Sequence, residues 1–233
     1  MNLSNYKAII LAGGKGTRLY PITKEIPKPL LLIKGKPIIN YLVDLFIDHK
    51  IKEIAILINK NYKNDFQWWK KRYYPKNKIR LVEEEKELGT FGGLYLLKSW
   101  IANNKFFLTN GDELKKIDLS KMAKLHNQAG TLGTIALVEI EDPENYGVVV
   151  CNSTKIQDFI EKPKNPPCKY INAGLYLLNS EILELSKLEF SMIEKDIFPQ
   201  LAKENKLAGF KFKGQWTDCG TWKRYQQALS DWQ

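Results

Sequence analysis

The sequence predicts an α/β fold built on a doubly wound, mostly parallel mixed sheet. Short apolar runs bounded by turn residues recur through the first half of the chain, and helical patterns separate them. The second half holds several strand-like runs with little room for helices. With 233 residues, 44% of them hydrophobic, the chain is long enough to bury one large core. We therefore expect a single domain over residues 1–233.

Four strands and three helices are predicted in the first half. The apolar runs at residues 7–12, 54–59, 79–84 and 105–110 read as buried strands. The segment 37–49 places Ile38, Leu42, Leu45 and Phe46 on one helical face, and Pro37 suits its first turn. Further helices are expected over 90–102 and 119–128. Ligands of such a sheet bind beyond the carboxyl ends of its strands.

The second half predicts antiparallel strands followed by a return to helices. Strand-like runs cover residues 133–141, 146–151, 156–161 and 170–178. Helices are expected over 180–186, over 193–203 with an interruption or kink at Pro199, and from Thr221 to the end.

Composition favours a cytoplasmic protein that binds anionic small molecules. The net charge is +10, but only 4 of the 36 basic residues are arginines and the lysines are scattered, so we expect no nucleic-acid partner. The positive field would still attract phosphorylated substrates. No apolar run approaches a membrane span, and no secretory signal is present. The three cysteines lack paired metal-ligand spacing and are expected to be free thiols.

A glycine-rich turn follows the first strand and predicts a phosphate cradle. Its glycines allow backbone amides to approach an anion closely, and Arg18 and Lys28 add fixed positive charge for a polyphosphate. Neither the Walker spacing nor the third glycine of the dinucleotide fingerprint is present. The residues of this candidate site are Leu11, Ala12, Gly13, Gly14, Gly16, Thr17, Arg18 and Lys28.

Several short motifs follow one another along the whole chain. LAGGKGTRL and IPKPLL are followed by LGTFGG (88–93), NGD (110–112), YGVV (146–149), EKP (161–163), NAGLY (172–176) and WTDCGT (216–221). This motif order resembles that of the sugar-1-phosphate nucleotidylyltransferases, whose fold is Rossmann-like. The resemblance covers nearly the whole chain. It implies one nucleotidylyltransferase catalytic domain that takes a nucleoside triphosphate and a sugar 1-phosphate and releases pyrophosphate. A homodimer is left open.

The resemblance also assigns roles to individual residues. It implies an Mg²⁺ ion held by Asp112 and Asp218, which we expect just past the end of the strand 105–110 and after a strand that begins near Leu207. Lys162 is expected on the incoming sugar phosphate, and Gly147 leaves room for the sugar ring. Nucleotide contacts are expected from Glu84, Gly89 and Thr90, and sugar hydroxyl contacts from Glu161 and Asn172.

The implied chemistry needs few side chains. A sugar 1-phosphate is already largely ionised near neutral pH and can attack the α-phosphorus without a general base. We expect in-line displacement, with Arg18 on the leaving pyrophosphate and Lys28 close to the triphosphate. The chain has only two histidines, His49 and His126, which weighs against a histidine-centred mechanism.

Glu84 suggests which base is bound. It stands four positions before Leu88, where the family reads the base edge, and a carboxylate suits the N1 and N2 donors of guanine. GTP is therefore favoured over a pyrimidine nucleotide. The stretch FSMIEKDIFPQLA (190–202) resembles guanylyltransferases acting on mannose 1-phosphate, and heptose phosphate stays open.

Some positions depart from the family pattern. Tyr20 replaces a basic residue, Phe91 replaces a small residue in the base-binding turn, and Trp222 and Lys223 replace the usual Pro-Glu. The sequence stops after its last predicted helix, so we expect no left-handed β-helix.

Other functions remain open at this point. They are a uridylyl- or thymidylyltransferase for glucose 1-phosphate, a phosphocholine cytidylyltransferase, and a non-catalytic subunit that senses sugar nucleotides. The sugar motifs disfavour the phosphocholine acceptor. The presence of both aspartates and Arg18 disfavours the sensing subunit.

Overall fold

A computed structural model describes all residues from 1 to 233. Its strands, in chain order, are β1 (Lys7–Ala12), β2 (Leu32–Ile33), β3 (Lys36–Pro37), β4 (Glu53–Asn59), β5 (Ile79–Glu84), β6 (Phe106–Asn110), β7 (Glu113–Lys115), β8 (Gly133–Glu139), β9 (Gly147–Asn152), β10 (Lys155–Glu161), β11 (Tyr170–Leu178), β12 (Leu207–Lys211) and β13 (Trp216–Asp218).

The α-helices are α1 (Ile38–Asp48), α2 (Lys63–Tyr73), α3 (Gly89–Gly92), α4 (Lys98–Ile101), α5 (Leu119–Ala129), α6 (Phe198–Lys203) and α7 (Trp222–Asp231). A π-helical turn, Ile193–Ile197, precedes α6, and a 3-10 turn covers Ser180–Leu185. The Asp118 side chain accepts a hydrogen bond from Lys121 N at the start of α5, and Gly130 ends that helix in the left-handed conformation.

Most predicted elements are confirmed. The helix predicted over 180–186 is a 3-10 turn, and the predicted interruption near Pro199 lies between the π-helical turn and α6, which begins at Phe198. Two regions of the first half also differ from the prediction. The helix predicted over 90–102 is broken into α3, a 3-10 segment and α4. Paired glycines at positions 92 and 93 explain the weak helical propensity there. Helix α2 was missed because it is rich in aromatic and charged residues, and only Phe66 and Trp69 of it are buried.

The chain divides into two compact units. The amino-terminal unit comprises Asn2–Glu87, Leu108–Lys116 and Gly214–Gln233. The central unit comprises Met1, Leu88–Phe107 and Ile117–Lys213. The single-domain expectation stays a prediction.

The amino-terminal unit contains the parallel part of the fold. Strands β5, β4 and β1 lie side by side with parallel register, and β6 follows β1 in the strand order. Nearly all apolar residues of β1 and β4 are buried, which explains why these strands are continuous hydrophobic runs, whereas Leu81 and Val82 of the edge strand β5 are only partly buried. Strands β7 and β13 form a separate antiparallel pair.

The carboxyl-terminal helix α7 packs against the segment that follows the glycine-rich turn. Its Tyr225, Ala228 and the following Trp232 share a buried cluster with Leu19 and Leu31. The Tyr225 hydroxyl donates to Leu32 O at 2.8 Å. Helix α7 therefore packs against and stabilises the segment that follows the glycine-rich turn.

The central unit is mainly antiparallel. Its strand order is β11-β8-β12-β10-β9, and only the β12–β8 pair in it is parallel. The mixed sheet content is thus confirmed, while the mostly parallel character holds for the amino-terminal unit alone. No helix combines the length and apolar character that a membrane crossing requires.

Candidate active site

The glycine-rich turn lies directly beyond the carboxyl end of β1. Gly16 has φ of 64°, a left-handed conformation that a side chain would strain. Its carbonyl accepts hydrogen bonds from the Thr23 hydroxyl at 2.8 Å and from Leu19 N at 2.9 Å. A Cβ on Gly14 would meet only open space. The turn is therefore held at Gly16 and open at Gly14.

Glu84 lies against this turn from the end of β5. A Cβ on Gly13 would stand 2.0 Å from Glu84 Oε2, so any side chain at position 13 would have to displace the Glu84 carboxylate. Burial, and then the charge of Glu87, raises the pKa of the Glu84 carboxyl to about 7. The structure thus brings the predicted base-reading residue to the predicted phosphate turn.

Gly111 brings its neighbour Asp112 close to strand β1. Gly111 N donates to Leu11 O at 2.9 Å, and a Cβ on Gly111 would stand 2.6 Å from that oxygen. Only glycine allows this approach of the two chain segments. Asp112 follows β6 as the sequence predicted.

Asp218 lies beside Asp112, but on a different strand from the predicted one. The strand that begins at Leu207 ends at Lys211, and Asp218 is the last residue of β13, opposite Glu113 of β7. Cys219 N donates to Asp112 O at 3.0 Å. Burial, and then the charges of Asp112 and Asp218, raise the pKa of the Cys219 thiol to about 12. The two aspartates are therefore neighbours.

Cations neutralise both aspartates. The buried Lys28 ammonium donates to Asp112 Oδ2 in a short ion pair. Arg224 Nη1 lies 2.6 Å from Asp218 Oδ2, while Gly220 N donates to Asp218 Oδ1 at 2.5 Å. Burial raises the Asp112 pKa, but the charge of and hydrogen bond from Lys28, with the more distant Lys115 and Arg18, outweigh it and hold the pKa below its usual value.

Arg18 is exposed. A Cβ built on Gly220 would stand 3.2 Å from Arg18 Nη2 and 2.6 Å from Asp218 Oδ1, so Arg18 lies near Asp218. The sequence-predicted residues Arg18, Lys28, Asp112 and Asp218 thus form one cluster in the amino-terminal unit.

A buried ion pair that was not predicted from the sequence, Lys115–Glu113, lies next to this cluster. Lys115 Nζ lies 3.4 Å from Glu113 Oε2 and 2.9 Å from Thr109 Oγ1. Asn110 donates to the other Glu113 oxygen at 2.8 Å. Trp216 Nε1 donates to Glu113 Oε2 at 3.2 Å. The charged residues in the run GDELKK (111–116) are visible in the sequence, but only the β7–β13 pairing shows that Glu113 and Lys115 are buried together.

The cluster suits a cation that shares its ligands with phosphates. No group of three or more His, Cys, Asp or Glu side chains is arranged to enclose a metal ion. Mg²⁺ keeps several waters and takes one or two carboxylates plus substrate phosphates, so a pair of neighbouring aspartates fits it. Each carboxylate is already oriented toward a positive charge.

The central unit brings together the residues predicted for the sugar phosphate. Gly147 of β9 lies opposite Glu161 of β10, and a Cβ on Gly147 would stand 3.0 Å from Glu161 Oε2. Lys162 is exposed, has φ of 49°, and places Nζ 3.5 Å from Glu161 Oε1. Any side chain at position 147 would press on Glu161 and Phe159.

A buried polar chain links Asn172 to Thr90 in the same unit. Asn172 Nδ2 donates to the Tyr176 hydroxyl at 2.8 Å, and that hydroxyl donates to Glu194 Oε1 at 3.3 Å. Thr90 Oγ1 donates to Glu194 Oε2 at 2.5 Å. Burial raises the pKa of Glu194. The role of Glu194 is not evident from the sequence, because its charged neighbours Lys195 and Asp196 give no sign that this carboxylate is buried.

Gly89 is also placed by close packing. It has φ of 72°, and a Cβ there would collide with the carbonyl of Ser191. Phe91, which departs from the family pattern, is fully buried. It therefore contributes to the core.

The histidines are structural. His126 is buried between Thr134 Oγ1 at 2.8 Å and Asn179 Oδ1 at 3.0 Å, and burial lowers its pKa. His49 ends α1 and contacts Leu45 O at 2.8 Å. Neither belongs to the two clusters of predicted site residues.

Curated relatives match most of this chain. It is 34% identical over 221 residues to the mannose-1-phosphate guanylyltransferase catalytic subunit beta of Xenopus tropicalis, with 92% of this chain covered. It is also 34% identical over 222 residues to the mannose-1-phosphate guanyltransferase of Saccharomyces cerevisiae, again with 92% covered. The chain spans 61% of the length of each of these relatives.

A solved structure and a family model agree with this similarity. The crystal structure of HddC from Yersinia pseudotuberculosis in complex with GMP-PN superimposes with a TM-score of 0.81 at 27% identity, covering 98% of this chain and all of the other. The nucleotidyl transferase family model matches residues 7–233. The chain belongs to the nucleotidyl transferase family.

Proposed function

We propose that this protein transfers a guanylyl group from GTP to mannose 1-phosphate, forming GDP-mannose and releasing pyrophosphate. The observation that carries the proposal is the approach of the Glu84 carboxylate to Gly13 of the phosphate turn. The strand that leads into this turn also contacts Gly111, the residue next to Asp112. The similarity to mannose-1-phosphate guanylyltransferases over 92% of this chain supports the choice of substrates.

The amino-terminal unit would bind the nucleotide. The turn after β1 offers backbone amides to the phosphates at a position that is open at Gly14. Glu84 accepts from the N1 and N2 donors of guanine, which uracil and thymine cannot both supply. In the central unit, Gly89 and Thr90 would complete the nucleotide contacts.

Charge compensation is the main catalytic contribution of this chain. Mg²⁺, when held by Asp112 and Asp218, supplies positive charge to the reacting phosphates. Lys28 leaves its ion pair with Asp112 to contact the triphosphate, and Arg18 neutralises the departing pyrophosphate. The sugar phosphate is already ionised, so no side chain removes a proton in this mechanism.

The central unit would orient the acceptor. Lys162 contacts the phosphate of mannose 1-phosphate, while Glu161 and Asn172 bind sugar hydroxyls. Gly147 leaves space for the ring. The buried chain through Tyr176 and Glu194 fixes the Asn172 amide, because its Nδ2 donates to Tyr176 and its Oδ1 accepts from Gly174 N at 2.9 Å.

Pyrophosphate release tests the proposal. The purified protein is incubated with Mg²⁺ and each nucleoside triphosphate against mannose, glucose and heptose 1-phosphates and phosphocholine. We expect the highest kcat/KM for GTP with mannose 1-phosphate. A higher value for UTP or dTTP with glucose 1-phosphate would refute the guanylyl assignment, and no turnover with any pair would favour the sensing subunit.

A further inference from the structure

Arg224 occupies the position from which a divalent cation would contact Asp218. Its Nη1 lies 2.6 Å from Oδ2, the one oxygen of Asp218 that does not accept from Gly220 N. The side chain of Asp218 is only 12% exposed, so little of its carboxylate is open to solvent while Arg224 is paired with it. A metal ion that binds Oδ2 would compete with Arg224 for that oxygen.

The charge balance of the cluster argues in the same direction. Without a nucleotide, the cationic groups exceed the anionic ones by one. The cations are Arg18, Lys28, Lys115 and Arg224, and the anions are Asp112, Glu113 and Asp218. Adding a divalent cation alone would leave an excess of three positive charges, whereas a nucleoside triphosphate brings about four negative charges near neutral pH.

We propose that Arg224 is a resident counter-cation that excludes a divalent metal from Asp218 until the nucleotide arrives. The inference rests on the proposed function, because it takes Asp218 as a metal ligand. The metal–nucleotide complex then displaces Arg224 from Asp218, so Arg224 acts through Asp218 and not on the reacting atoms. Metal and nucleotide binding are consequently coupled, and each raises the affinity for the other by the same factor.

Removing Arg224 should therefore create a metal site in the nucleotide-free protein. The Gly220 N bond to Oδ1 keeps Asp218 oriented after Arg224→Gln. Repulsion between a divalent ion and a guanidinium about 5 Å apart corresponds to roughly a tenfold loss of affinity even in a water-like medium. We expect Arg224→Gln to bind metal at least about tenfold more tightly than the natural protein.

The test is a Mn²⁺ titration of nucleotide-free protein, with free Mn²⁺ followed by electron paramagnetic resonance. Arg72→Gln is the matched control, because Arg72 is exposed in the last turn of α2 and its loss changes the net charge equally. Tight binding by Arg224→Gln alone, abolished by adding Asp218→Asn, supports the proposal. Equal Mn²⁺ affinities of the natural protein, Arg224→Gln and Arg72→Gln overturn it.

Two further results separate this inference from the proposed function. Equal Mn²⁺ affinity of the natural protein and Arg224→Gln, with binding lost in Asp218→Asn, overturns the role of Arg224 and leaves the metal assignment intact. Tight binding that persists in the double variant overturns both. If Arg224→Gln does not fold, a crystal of the natural protein with Mn²⁺ and GMP-PN decides the matter. A metal on Asp218 with Arg224 moved away supports the proposal, and a retained ion pair beside that metal overturns it.

Discussion

The affinity for GTP should depend on pH through Glu84. Its pKa is raised to about 7, first by burial and then by Glu87, which is itself paired with Lys15 at 3.0 Å. Only the carboxylate accepts from both guanine donors, so the dissociation constant equals the intrinsic value divided by the ionised fraction. That fraction rises from about one eleventh at pH 6 to about ten elevenths at pH 8. We expect GTP to bind about tenfold more tightly at pH 8 than at pH 6.

A Glu84→Gln variant provides the reference for this measurement. The triphosphate also changes ionisation over this range, so the quantity to measure is the ratio of the two dissociation constants, natural protein over variant, at each pH. Isothermal titration calorimetry with a non-hydrolysable GTP analogue gives both dissociation constants. The ratio should fall about tenfold from pH 6 to pH 8. A ratio that stays flat would refute the assignment of Glu84 to the guanine edge.

Stability without ligand should respond in the opposite direction. The folded-state pKa of Glu84 lies above the ordinary glutamate value of 4.5, so the folded protein favours the protonated form of Glu84 more than the unfolded chain does. The stabilising contribution of protonated Glu84 to the free energy of unfolding is fully present below pH 4.5 and is lost as the pH rises through about 7. The melting temperature of the natural protein, relative to Glu84→Gln, should therefore fall over this range while GTP affinity rises.

Three other substitutions test the site. Asp112→Asn should lower kcat by at least about 100-fold with an unchanged circular dichroism spectrum, and near-normal turnover would reject it as a metal ligand. Gly13→Ala should displace the Glu84 carboxylate and reduce the GTP-over-UTP preference in kcat/KM, whereas an unchanged preference would show that this contact is dispensable. Trp222→Phe removes the indole bond to Tyr20 O, 3.0 Å long, and should raise the KM for GTP about fivefold with little change in kcat; an unaltered KM would argue against support of the turn by α7.

Local signals in the sequence carried much of the site. A carboxylate approaches Gly13 closely, a backbone carbonyl approaches Gly111 closely, and Gly16 takes a left-handed conformation. Continuous apolar runs located the buried parallel strands, since both faces of those strands are covered. These features depend on few neighbours in the chain, so they could be predicted.

Pairings between distant segments could not be predicted. The strand β13 is only three residues long, and its pairing with β7 is what places Asp218 beside Asp112. Glu194 gains its burial and its Thr90 contact from packing across a separation of 104 residues. The contact between Trp222 and Tyr20, both departures from the family pattern, spans 202 residues. No local pattern records such contacts.

The fate of the α-phosphate of GTP tests the central claim most directly. The protein is incubated with Mg²⁺, mannose 1-phosphate and GTP labelled at the α- or the γ-phosphate, and the products are separated by chromatography. We predict that the α label appears in GDP-mannose and the γ label in pyrophosphate, in equal amounts. An α label that remains in GTP or appears as free GMP, with no labelled sugar nucleotide, would contradict the account.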